Sequence, residues 1–173
     1  MRYLRRAAKV AEAIVELSGR GVAWLVVAIV FLVTVDVASR YLLHRGSVAI
    51  QELEWHLFAL LFLLGAGYTL KHDGHVRVDL LYRHPRVGER TRLAIDLVGT
   101  LALLCPFCVL VIVESWPFVV DAFRFGERSP DPGGLPRRWL LKAAIPLGFM
   151  LILLQAFANV VRIVDRLRGQ ETR

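Results

Sequence analysis

Four stretches of this chain are too long and too apolar to end up anywhere but across a bilayer. No charge occurs from Gly21 to Val35, and continuing through Asp36 to Leu43 gives a run of about 21–43, matching the roughly 20 residues that cross a hydrocarbon core of about 30 Å. Further runs cover about 49–70, about 93–117 with Leu97 to Val113 uncharged, and about 139–162 with Ala143 to Val161 uncharged. In lipid a backbone finds its hydrogen-bond partners only inside a helix or a closed barrel. The expected fold class is therefore an all-α integral membrane protein with four transmembrane helices, read as a single membrane domain over residues 1–173.

Composition agrees: 56% of residues are hydrophobic and the mean hydropathy is +0.52, well above a soluble domain with a polar surface. The 22 Lys and Arg against 15 Asp and Glu leave a net charge of +7. With the cations set between apolar runs, membrane lipid is the expected anionic partner and nucleic acid is not.

Residues 2–20 sort by helical period. Tyr3, Val10, Ile14 and Leu17 share one face, while Arg2, Arg5, Lys9, Glu12, Glu16 and Arg20 share the other, the pattern of an N-terminal amphipathic helix at a membrane surface. The same pattern also suits a solvated extension of the first membrane helix. Some twenty residues precede the first apolar run, so the start of the chain reads as an uncleaved anchor and not as a signal peptide.

Polar residues cluster at the ends of the runs. Asp36 and Arg40 are spaced for an i,i+4 ion pair. Glu52 and Glu54 sit in the first turns of the second helix, where acids suit the positive end of the helix dipole, but a spacing of two puts them on different faces. Gly65 and Gly67 make a small surface for close helix approach. After Gly74, Val76 to Tyr82 reads as a short cytoplasmic interfacial segment with His75, Arg77 and Asp79 directed to headgroups or to a partner. Pro106 and Pro146 are expected to bend their helices. The Pro/Gly-rich SPDPGGLP stretch predicts an ordered turn ahead of Trp139. Fifteen of the 22 Lys and Arg fall in the N-terminal segment, the second connection and the C-terminal segment, so both termini are expected in the cytoplasm.

Catalytic patterns are sparse. Cys105-Pro106-Phe107-Cys108 has redox spacing, which makes a membrane thiol oxidoreductase using Cys105 and Cys108 the alternative function. The pair lacks a second dithiol to relay electrons, and buried thiols are commonly inert. No phosphate loop, metalloprotease motif or facing histidine pair for haem occurs, so no metal, cofactor or catalytic residue is assigned.

The order of several short motifs carries a family resemblance: Arg40-Tyr41, Gln51-Glu52-Leu53-Glu54-Trp55, Gly65-Ala66-Gly67-Tyr68, His75-Val76-Arg77-Val78-Asp79, Ser129 to Pro136, Trp139-Leu140-Leu141-Lys142 and Ile145-Pro146-Leu147-Gly148. From helix one to helix four the chain resembles the small membrane (Q-type) subunit of tripartite ATP-independent periplasmic (TRAP) transporters. That resemblance implies a multi-pass subunit of the bacterial inner membrane. It would be bound to a large membrane subunit holding the sodium and substrate sites, and fed by a periplasmic substrate-binding protein. The small subunit would be a scaffold for sodium-driven uptake of an organic acid or similar solute, not an enzyme. Arg40, Glu52, Glu54, Gly65, Gly67, His75, Arg77, Asp79, Trp139 and Lys142 are its candidate assembly or membrane-anchoring residues. Replacing His75 or Asp79 is expected to lower the yield of the assembled complex more than substrate affinity; normal yield with altered affinity would contradict that role.

Overall fold

The computed structural model describes residues 2–74 and 88–169. Its elements are α1 (Arg2–Leu43), α2 (Val48–Lys71), α3 (Glu89–Gly99), a π-helical segment (Thr100–Leu104), α4 (Cys105–Arg124) and α5 (Trp139–Leu167). Because α3, the π segment and α4 follow one another without a break, four helices are long and apolar enough to cross a membrane. The expected all-α, four-span fold is what forms. The segment expected at the membrane surface between the second and third spans, with His75, Arg77 and Asp79, lies outside the described residues.

Residues 2–20 and 21–43 are one continuous helix of 42 residues, about 63 Å long at 1.5 Å per residue. The face that α1 turns inward differs from the one its largest apolar residues mark. Tyr3, Val10, Ile14 and Leu17 are exposed, while Ala8, Ala11, Val15, Gly19 and Val22 are buried. Helices in lipid gain nothing from hiding bulky hydrocarbon, which the acyl chains already solvate. They gain dispersion energy where small side chains let backbones come close.

The same rule places α5 at the centre, against α1, α2 and α4, while α2 packs on α1 and α5. Leu63 lies opposite Gly148 and Leu151 opposite Gly67, so α2 and α5 run parallel. A Cβ built on Gly148 would stand 2.5 Å from the Leu63 carbonyl oxygen, and one on Gly67 would stand 3.1 Å from the Leu151 carbonyl. On the other flank the Tyr68 ring covers Gly19, bringing α1 antiparallel onto α2. The third span leans on α5 through an edge-to-face pair, Phe107 with Phe149, at 5.9 Å.

Proline explains one departure from regular geometry. Pro106 lacks an N–H and would crowd the preceding turn of an α-helix; the π segment immediately before it, in which the Cys105 N–H reaches the Thr100 carbonyl, relieves that turn. The third apolar run, bordered by Glu114, is expected to span about 93–117. It instead continues to Arg124 with Pro117 inside it, because the next turn has packing to gain: Ala122 is buried and Phe123 meets Trp139 edge-to-face at 5.3 Å.

Gly148→Leu is expected to lower bundle stability by about 1–3 kcal/mol, the usual cost of forcing atoms into a filled contact. Gly21→Leu, on an open face of α1, serves as the control. Unfolding midpoints in detergent micelles would report both, and equal midpoints would mean that the α2–α5 crossing is not a tight backbone contact.

Candidate functional site

Among the described residues, polar side chains gather at each end of the bundle. At the end where α1 starts and α5 finishes, Glu16 accepts from Arg20 Nε at 2.8 Å and from Lys71 Nζ at 2.8 Å, with His72 Nε2 at 3.0 Å. Lys71 Nζ also donates to the Glu12 backbone carbonyl at 3.2 Å. Arg162 of α5 pairs with the Glu12 carboxylate, and Arg5 forks onto Asp165 at 2.8 and 3.1 Å. The polar stripe of α1 is thus taken up by α2 and α5. Just inward, Gln155 is fully buried and its Nε2 donates to Asn159 Oδ1 at 2.9 Å.

At the opposite end the α1–α2 hairpin and the α4–α5 connection meet. Asp36, only 3% exposed, pairs with Arg40, and Gln51 joins them when its amide oxygen is turned to the Arg40 guanidinium. His44, with φ 55°, makes the left-handed step that ends α1. Glu52, 5% exposed, faces the connection: one oxygen accepts from the Ser129 hydroxyl and the other from the Leu135 N–H at 2.6 Å.

Backbone bonds close the connection on itself. The Ser129 N–H donates to the Leu135 carbonyl at 3.1 Å, the Gly134 N–H to Asp131 at 3.0 Å and the Arg138 N–H to Glu127 at 3.1 Å. Gly133, at φ 82°, supplies the left-handed residue this turn needs, and Gly134 leaves room for Ser129 and Glu52. The ordered turn expected before Trp139 is present, and Glu52 is the group that holds it to α2. Lys142 pairs with Glu127 and sits 3.6 Å above the centre of the Phe118 ring. The Arg138 guanidinium lies 5.7 Å over Trp55.

Of the candidate residues, Arg40, Glu52, Trp139 and Lys142 meet at this end, each bound within the chain. Glu54 is half-buried, with one oxygen lacking a hydrogen-bond partner, and faces away from Glu52 as the spacing requires. Gly67 makes the α5 contact, whereas Gly65 faces the more open α1 side with only a Val22 methyl within 4 Å. His75, Arg77 and Asp79 lie outside the described residues. Cys105 and Cys108 are free thiols one helical turn apart, Cys108 fully buried. Sequence reasoning did not single out Ser129 as the partner of Glu52, nor Asp165 and Arg162 as partners of α1. The signal for the latter two was an acid and a base on the last turns of α5, facing an already charged helix.

The family described as tripartite ATP-independent periplasmic transporters, DctQ component, matches residues 29–166 of the chain. The chain is also similar to the C4-dicarboxylate TRAP transporter small permease protein DctQ of Pseudomonas aeruginosa, with 29% identity over 130 residues, 70% of this chain and 59% of that protein. It therefore spans about three-fifths of the length of this curated relative. The family match takes in about the last third of α1, both polar groups of the hairpin end, the connection and nearly all of α5.

Glu52→Ala is expected to free the 129–136 turn, since a hydrogen bond to a charged group contributes about 1.5–3 kcal/mol. Hydrogen exchange at the Leu135 amide would then speed up by more than tenfold. An unchanged exchange rate would show that the turn holds itself without α2.

Proposed function

The chain belongs to the DctQ component family of tripartite ATP-independent periplasmic transporters, and from that membership we propose that it serves as the small permease subunit on which a large membrane subunit is braced. The observation that carries the scaffold reading is how the bundle disposes of its side chains. Among the described residues, its charged groups staple its own helices together at the two ends, and most of its buried positions are small, chiefly Ala and Gly. Large apolar residues such as Trp24, Phe31, Phe58, Phe62 and Leu103 point outward. A chain built this way offers a stiff apolar wall to a neighbour within the bilayer.

In this reading the termini lie in the cytoplasm, on the Lys/Arg asymmetry of the connections. The Glu52-held turn lies in the periplasm, where a substrate-binding protein delivers solute. Sodium coupling and the recognition of an organic acid are functions of the partners. The relative's name concerns C4-dicarboxylates, and a related organic acid is the solute class proposed here. The thiol-oxidoreductase alternative has little to support it: the chain has two cysteines, and burial of Cys108 keeps one of them from a dithiol substrate.

Co-expression with the genes for a large permease subunit and a binding protein tests the proposal. The tagged chain is expected to bring down the large subunit in detergent. Vesicles are expected to take up solute on a sodium gradient only when all three proteins are present. Uptake by the large subunit and binding protein at the full rate without this chain would sink the scaffold role. Loss of uptake on replacing both cysteines by serine in an intact complex would revive the redox alternative.

A further inference from the structure

α2 and α4 flank α5 on the same side without extended contact between them. The gap they leave is a groove of about 410 Å³, within the roughly 300–1,000 Å³ of sites that enclose small organic ligands. Ala59 and Leu63 form one wall, Phe118 the other, and Leu141 and Ile145 the floor. This hydrocarbon-lined part lies alongside spans long enough to cross a membrane, so acyl chains and not water are its natural filling.

The groove's mouth has a different chemistry. Trp55, Glu127, Arg138 and Lys142 close it at the end that carries the ordered turn. Lys142 and Glu127 neutralise one another. Arg138 lies within electrostatic reach of the Glu52 carboxylate, but the hydrogen bonds of that carboxylate go to Ser129 and Leu135, so the guanidinium, resting on the Trp55 ring, keeps its side-chain N–H donors for another acceptor. A guanidinium held on an aromatic face, with its N–H donors open, at the top of an apolar slot suits an amphiphile with an anionic head. We propose that this groove holds a single phospholipid, with an acyl chain between α2 and α4 and its phosphate on Arg138. An anion at that point complements a guanidinium with donors to spare, and tryptophan belongs at the headgroup level where the phosphate lies. Such a lipid would fill the space between the third span and α2 that protein side chains leave open. It requires the bundle to lie in a bilayer but not to act as a scaffold, so loss of one reading leaves the other standing.

Native mass spectrometry of the purified complex in mild detergent, titrated with phosphatidylglycerol, tests this. The unaltered protein is expected to keep one lipid after the surrounding detergent is stripped. Arg138→Gln should weaken retention about tenfold, as expected for loss of a charge-assisted hydrogen bond. Ala59→Trp, which fills the slot, should abolish retention, while Gly65→Ala on the α1 side of α2 should leave it unchanged. Equal retention by Arg138→Gln and the unaltered protein would overturn the proposal, whatever the folding of Ala59→Trp. So would a photo-reactive group at Leu63 that labels a protein neighbour in place of lipid.

Discussion

Close backbone contact between α2 and α5 governs the rest of the arrangement. Leu63 and Leu151 present main-chain carbonyls to the bare Cα atoms of Gly148 and Gly67, two contacts along one parallel pair of helices. In water such a pair would be driven together by burying hydrocarbon. In a bilayer that drive is absent, and the energy comes from dense van der Waals contact, which falls away within an ångström of extra separation. With α2 and α5 so close, α1 can reach both at once, and its small-residue stripe from Ala8 to Val22 fits the seam between them. Among the described residues the third span packs chiefly on α5.

Charge works at the margins of this arrangement, where the dielectric is higher and ions are less costly to hold. Arg5, Glu12, Glu16, Lys71, Arg162 and Asp165 bind three helices at one end. Asp36, Arg40, Glu52 and Ser129 bind the hairpin and the connection at the other. Each exposed pair contributes little alone. Glu16, however, gathers Arg20, Lys71 and His72 around one carboxylate, so that several side chains share the entropy lost in ordering any one of them. The ends are thereby fixed against rotation about the helix axes, which the smooth Ala and Gly seam between the helices would otherwise permit.

The four spans were legible from the sequence because uncharged length alone specifies them, and so was the Asp36–Arg40 pair, which is local. The Pro/Gly turn was legible because its residues dictate backbone geometry. Non-local facts were harder. Nothing within Ser129 to Leu135 says that Glu52, some 80 residues earlier, holds the turn. The inward face of α1 was obscured because periodicity weights large residues, and the packing seam uses small ones. The extension of the third helix past Pro117 depends on Trp139 and Lys142, residues of another helix. Of the candidate residues, Glu52 and Gly67 have clear structural roles, while Gly65 and Glu54 resemble their neighbours in sequence more than in surroundings.

The central position of α5 has a consequence for a shortened chain. α5 follows the other three described spans in the chain, yet it supplies most of what they pack against. After the first two spans are in place, the α1–α2 hairpin can already close over Gly19 and Tyr68. Without α5, the third span has no extended contact with α1 or α2 among the described residues. α5 is thus the keystone of the four spans: a chain cut before Trp139 would keep the α1–α2 contact and lose the main packing surface of the third span.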